Sequence, residues 1–142
     1  MGQSKPFHAT ALVVEDDPMQ REMISLLLEE SHFDVIECES AEAAEVVLRQ
    51  VGADLALVMT DVSLAGPMNG VALAHVARRC NPGLEIIVTS GSPLPGPLPE
   101  GALYWSKPWA PLDVIRVAEQ TSWRLTQQLS DAPRGEAGRR RR

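Results

Sequence analysis

Residues 55–61 read LALVMTD: five apolar residues in succession, a threonine, then a carboxylate. A strand with one face in water alternates apolar with polar residues. A run that does not alternate is covered on both faces, as in the parallel sheet of an α/β protein. Working outward, the same pattern returns at Ala11-Leu12-Val13-Val14 and at Ile86-Ile87-Val88, with weaker strand candidates at 34–38 and 102–106. Five strands are expected.

The segments between them carry helical period. Asp17-Pro18 supplies an N-cap carboxylate and a proline at the first helical position, and Met23, Ile24, Leu27 and Leu28 form the apolar stripe behind it. Ser40 caps AEAAEVVLRQV, which is expected to stop at Gly52. Asn69-Gly70 leads into VALAHVARRC, ended by Asn81-Pro82-Gly83, and Pro111 opens LDVIRVAEQTSWRLTQQL. Strand and helix therefore alternate, which implies right-handed crossovers and an open, doubly wound α/β sheet. Between Gly91 and Gly101, where a further helix belongs, Pro93, Pro95, Pro97 and Pro99 forbid one. A stiff, extended Pro-rich loop is expected in its place.

A chain of 142 residues with 44% hydrophobic content suffices for one domain with a core and is too short for two. Residues 10–129 are read as that domain. Residues 1–9 and 130–142 lack apolar periodicity and are read as tails, the second one basic and disordered. Residues 1–130 hold 8 Lys and Arg against 17 Asp and Glu, so the body is about nine charges negative, whereas the last twelve residues are about three positive. Nucleic acid is not expected as a partner of an acidic body, because phosphate binding rests on Lys and Arg; the Arg139–Arg142 run is read as a solvated end. No run is long and apolar enough for a membrane span, and the first ten residues lack the order of a signal peptide, so a cytoplasmic location is expected. Cys38 and Cys80 are isolated, and His8, His32 and His75 are scattered, so reduced thiols and no zinc site are expected.

In open α/β sheets ligands sit beyond the carboxyl ends of the strands. The residues found there are Glu15, Asp16 and Asp17 after the first run, Asp61 after the third, Ser90 and Gly91 after the fourth, and Lys107 after the fifth. Taken singly each has an ordinary reading: Asp17 as a helix cap, Asp16 as a second cap candidate, Asp61 as a turn residue. Their convergence from separate strand ends is what points to a site. Crowded carboxylates repel one another unless a cation sits among them, and oxygen ligands with open water positions suit Mg²⁺. A metal there draws in an anion such as a phosphoryl group, with Lys107 as a point charge and Ser90 as a hydrogen-bond donor. Asp61, at the end of the central strand, is placed to act as a nucleophile and form an acyl phosphate.

VVEDD at the first strand, TDVSLAGPMNG around Asp61, IIVTSG at the fourth strand and YWSKPW at the fifth together resemble the receiver domain of two-component response regulators, over about residues 9–129. The resemblance implies a flavodoxin-like five-stranded sheet and a phosphoryl group accepted on Asp61 from a phosphohistidine of a sensor histidine kinase or histidine phosphotransfer protein. It implies Mg²⁺ held by Asp16 and Asp61, by Glu15 through water and by the Ser63 backbone carbonyl. It makes Ser90 the switch hydroxyl, Lys107 the family's lysine with a cis Lys107-Pro108 bond, and Tyr104 the aromatic switch. Enzymatic turnover of another substrate is not implied, only self-phosphorylation from small donors and self-dephosphorylation. Output then passes to a downstream protein by contact or by phosphotransfer, from a receiver that stands alone.

Four features depart from the family pattern. Ala65 stands where Pro is usual, one extra residue lies between Asp61 and Gly70, Trp109 replaces the common Phe after Lys107-Pro108, and the fourth helix is replaced by the Pro-rich loop. These leave open a pseudo-receiver that binds a partner without taking phosphate. A phosphohydrolase of the haloacid dehalogenase type is disfavoured, since it needs a second acid two residues after the nucleophile and Ser63 stands there. No glycine-rich phosphate loop follows the first strand, which argues against a nucleotide site.

Overall fold

The chain forms β1 (Ala9–Val14), α1 (Pro18–Glu30), β2 (Phe33–Cys38), α2 (Ala41–Val51), β3 (Leu57–Asp61), α3 (Gly70–Cys80), β4 (Glu85–Ser90), β5 (Leu103–Ser106) and α4 (Pro111–Asp131), with a 3-10 turn over Gly52–Asp54. This computed structural model describes residues 8–131. The expected tails, 1–9 and 130–142, fall mostly outside the described residues; inside them, β1 begins at Ala9 and α4 runs to Asp131.

All five strands pair in parallel, in the order β2-β1-β3-β4-β5. Side chains leave a strand on alternate faces. Ala11, Val13, Leu57, Met59 and Ile87 accordingly pack with Ile24 and Leu28 of α1 and Val114 and Ala118 of α4. Leu12, Val14, Val58, Ile86 and Val88 pack with Ala44 and Leu48 of α2 and Leu73 and Ala77 of α3. Two apolar layers sandwich the sheet, which is why the strand runs do not alternate.

The third strand begins two residues later than its apolar run. Leu55 N donates to Gly52 O (3.1 Å) and Ala56 N to Thr10 O (2.9 Å), so these two residues lead into β3, which extends to Asp61. Gly52 ends α2 for a reason other than a left-handed cap: its backbone is right-handed helical (φ −55°), and a Cβ there would lie 3.1 Å from Cys80 Cβ. Close packing between α2 and α3 explains the glycine. The left-handed residue is His32 (φ 69°), in the turn where Ser31 N donates to Leu28 O and His32 N to Glu29 O, both at 3.0 Å, and close α1.

No helix occupies Gly91–Ala102. The side chains of Leu94, Leu98 and Ala102 pack instead against the layer of α2 and α3, which burial requires and helicity does not. From α3, His75 Nε2 donates to Pro97 O (2.9 Å) and Arg78 Nε to Glu100 O (3.0 Å). The Arg78 guanidinium also donates to the carbonyls of Asn81, Pro82 and Leu84, so one side chain ties the loop to the end of α3.

Candidate functional site

At the carboxyl edge of the sheet, β1 runs into α1 through Glu15, Asp16 and Asp17. Asp17 caps the helix, accepting from Met19 N (2.9 Å), Gln20 N (3.5 Å) and Gln20 Nε2 (3.1 Å), and these bonds hold its carboxyl below the usual 3.8. With Asp17 so engaged, the turn presents Glu15 and Asp16 to the edge. Arg21 fixes the turn from behind, its guanidinium donating to Glu15 O (2.8 Å) and its Nε to Glu37 Oε1 (3.3 Å).

Asp61 ends the central strand, buried to 8% exposure, with Ser63 N donating to its Oδ1 at 3.4 Å. The start of α3 is pressed against it. Gly70 N donates to Val62 O (2.9 Å), and a Cβ on Gly70 would lie 2.8 Å from Asp61 C and 2.9 Å from Val62 Cα. Only glycine fits there. The intervening loop, which carries the extra residue, is tethered to α2: Met68 N donates to Glu42 Oε2 (3.0 Å), and Ala65 pairs with Ser40 in an isolated bridge.

Lys107 follows β5. Its backbone N donates to Ser90 O (2.8 Å), and the peptide to Pro108 is cis. Its Nζ donates to Asp61 Oδ2 (2.9 Å) and Gln20 Oε1 (3.3 Å), and lies 3.9 Å from Glu15 Oε1. Residues from three strand ends and the first turn of α1 thus meet at one ammonium group.

Carboxylate oxygens of Glu15, Asp16 and Asp61 all lie within 4.8 Å of one another. Glu15, at 3% exposure, has its carboxyl raised from 4.5 to about 7, first by burial and then by the charges of Asp61 and Asp16, against the opposing Asp17 N–H and Lys107. Burial acts to lower the Lys107 ammonium, but its bond to Asp61 and the charges of Asp61, Glu15 and Asp16 carry it above its ordinary 10.5. An all-oxygen cluster with more negative charge than one lysine offsets is the donor set a hard divalent cation such as Mg²⁺ prefers.

The remaining sequence candidates lie around this centre. The Ser90 hydroxyl is engaged with the loop that follows, donating to Ser92 O (2.6 Å) and accepting from Ser92 N (3.0 Å). Thr89 sits opposite Asp61 in the β3–β4 register and, like Ser90, is buried. Tyr104 lies on the edge strand β5 at 40% exposure. Gln20, Arg21 and Glu42 were not legible as site residues. Gln20 has a faint signal, three positions beyond the cap and so on the cap's face of the first turn; Arg21 and Glu42 act across chain distances that no local pattern reports. Among the described residues, no helix is long and apolar enough to cross a membrane, and Cys38 and Cys80 are free thiols.

Residues 11–93 match the family model for the response regulator receiver domain. The chain belongs to the response regulator receiver family. Solved receivers share its fold: the response regulator receiver protein from Sinorhizobium medicae WSM419 superposes with a TM-score of 0.72 at 24% identity, covering 80% of this chain and 94% of the other. The CheY-like receiver domain protein from Methanospirillum hungatei JF-1 gives 0.66 at 22% identity, covering 89% and 100%. The receiver domain of the hybrid histidine kinase CckA gives 0.63 at 24% identity, covering 85% and 99%. A curated relative, the cyclic di-GMP phosphodiesterase of Thermotoga maritima, is 38% identical over 81 residues, 57% of this chain. This receiver spans about a fifth (21%) of that relative's length. As a receiver, the chain is a module of two-component signalling, a family that works with histidine kinases and phosphotransfer proteins and takes Mg²⁺ at an acidic pocket.

Proposed function

We propose that Asp61 accepts a phosphoryl group from a phosphohistidine of a sensor histidine kinase or histidine phosphotransfer protein. The observation that carries this is the Lys107 ammonium at 2.9 Å from Asp61 Oδ2 inside the three-carboxylate cluster. An Asp61 carboxylate oxygen attacks phosphorus, the P–N bond to the imidazole breaks with its electron pair going to nitrogen, and an acyl phosphate remains. Bound Mg²⁺ supplies charge neutralisation for the phosphoryl oxygens, and the residues to hold it are Asp16 and Asp61 directly, the Ser63 carbonyl, and Glu15 through water. Lys107 pairs with the transferred group's oxygens, since its ammonium is already aimed at Asp61.

Ser90 is the switch hydroxyl in this reading, and Tyr104 the aromatic residue that follows it inward. Turning the Ser90 hydroxyl toward a phosphoryl oxygen costs it the two bonds to Ser92, so modification of Asp61 is felt directly in the Pro-rich loop. The acyl phosphate is lost when water attacks phosphorus and the Asp61 carboxylate leaves. Ser63 and Ser92, two residues after Asp61 and Ser90, are small and polar and leave water access open, so the phosphoprotein lifetime lies at the short end of the family's range. Signal leaves by protein contact or onward phosphotransfer.

Intact mass after incubation with acetyl phosphate and Mg²⁺ tests the proposal. Wild type gains one phosphoryl group, and Asp61→Asn and metal-free wild type gain none. A folded wild type that gains nothing points instead to a pseudo-receiver.

A further inference from the structure

Gln20 stands three residues beyond the Asp17 cap of α1, where a glutamine ordinarily accepts from the cap's own backbone N–H. Here Asp17 N donates instead to Glu15 Oε2 (3.2 Å), which leaves the Gln20 side-chain carbonyl free of capping. The Gln20 amide bridges two charged groups. Its Nε2 donates to Asp17 Oδ2 (3.1 Å), and its Oε1 accepts from Lys107 Nζ (3.3 Å). An ionised carboxylate only accepts and an ammonium only donates, so the amide fits in one orientation; reversed, it would face like with like at both ends. Capping alone does not require a glutamine with this aim.

We propose that Gln20, aimed by Asp17, is a positioning residue that keeps the Lys107 ammonium beside Asp61 through phosphoryl transfer. The inference rests on Asp61 as the phosphoacceptor. Among the described residues, Lys107 Nζ has two hydrogen-bond acceptors, Asp61 Oδ2 (2.9 Å) and Gln20 Oε1, with Glu15 Oε1 farther off at 3.9 Å. The two carboxylates change their engagements during the reaction: Asp61 gives up its charge on forming the acyl phosphate, and both acids turn to Mg²⁺ when it binds. The Gln20 carbonyl is neutral and enters neither event, so it is the partner that stays constant. Lysine is a point charge on a flexible four-carbon stem, and Lys107 borders an open hollow that it forms with Gln20, Met23, Pro108 and Trp109. Without the amide, the ammonium has room to swing from Asp61 into that hollow. A bond to a fixed neutral acceptor removes those arrangements before the phosphoryl donor arrives.

Three variants of the full chain test this. Gln20→Met removes both bonds at similar length and helix propensity and leaves the Asp17 cap alone. Asp17→Asn keeps a cap residue of equal quality, yet its amide donor turns the Gln20 amide round and sets an N–H against Lys107. Asp17→Asn/Gln20→Glu restores the pattern with donor and acceptor exchanged and the net charge unchanged. The rate of phosphoryl gain from acetyl phosphate at saturating Mg²⁺, read by intact mass, falls about five- to tenfold in each single variant and returns to within about twofold of wild type in the exchange. Mg²⁺ affinity, read from tryptophan fluorescence, stays close to wild type throughout. In metal-free protein, ¹⁵N relaxation of the Lys107 ammonium shows lower order in the single variants and wild-type order in the exchange. The proposal is overturned if either single variant matches wild type in rate or in Lys107 order, if Mg²⁺ affinity falls in step with rate, or if the folded exchange recovers neither. A wild type that gains no phosphoryl group overturns the phosphoacceptor reading as well. One that gains it beside unaffected variants overturns the role of Gln20 alone.

Discussion

The two layers of the sheet are closed by different means. On one, α1 and α4 lay continuous helical stripes over Ala11, Val13, Met59 and Ile87. On the other, α2 and α3 pack over β1, β2, β3 and β4, and Leu94, Leu98 and Ala102 from a loop that is not helical pack against the same layer. A sheet face needs apolar cover and partners for nearby backbone groups; a helix is one way to bring both. The loop brings the first through two leucines and the second through His75 and Arg78 on α3. Stiffness that helical hydrogen bonds supply on one side comes from proline on the other, and Pro93, Pro95 and Pro97 are left exposed.

The largest test of this contrast is at the site both layers share. Gly70→Ala drives a Cβ into the backbone of Asp61 and Val62, and a loss of about 3 kcal/mol by urea unfolding is expected, together with impaired phosphoryl gain on intact mass. A variant as stable as wild type would show that α3 can slide and that the glycine is incidental. Next, Leu28→Ala under α1 is expected to cost about 3 kcal/mol, while Leu98→Ala in the loop costs about 1 kcal/mol, because Leu28 is fully buried and Leu98 only partly. Equal losses would mean the loop is as integral to the core as a helix. Arg78→Ala removes donors to four carbonyls; a loss of about 1–2 kcal/mol and faster amide exchange across 97–102, with α1 unaffected, are expected.

The last test is one of pH. Glu15 titrates at about 7 in the fold against an ordinary 4.5, so the metal-free folded protein holds a proton through that window that the unfolded chain has lost. Stability therefore falls as pH rises from 4.5 towards 7, with a slope of at most about 1.4 kcal/mol per pH unit. Mg²⁺ reverses the fall, and Glu15→Gln removes it. Thermal melts across pH 5–8, with and without Mg²⁺, separate this slope from any contributed by the loop.

Much of this was readable along the chain. Asp17-Pro18, Ser40 and Asn69-Gly70 announce helix starts, and each lies one residue or less from the observed boundary, because capping is a bond between near neighbours. The Pro-rich segment announced the missing helix through backbone chemistry alone. The acids and the lysine of the site were legible because parallel strands bring their carboxyl ends to one edge. What escaped was cross-chain: Gln20 on Lys107, Arg21 on the Glu15 carbonyl, Glu42 on the loop after Asp61.

The sequence by itself therefore determined the order of elements, the parallel sheet and which side chains reach its carboxyl edge, since periodicity, caps and proline act over a few residues. Only the tertiary structure decided how those side chains meet. The Lys107–Asp61 contact spans 46 positions, Glu15 rises to about 7 only when folding buries it beside two other acids, and the Ser90 hydroxyl is bonded to Ser92 rather than to the acids. Desolvation and convergence are properties of the packed chain, and no local pattern contains them.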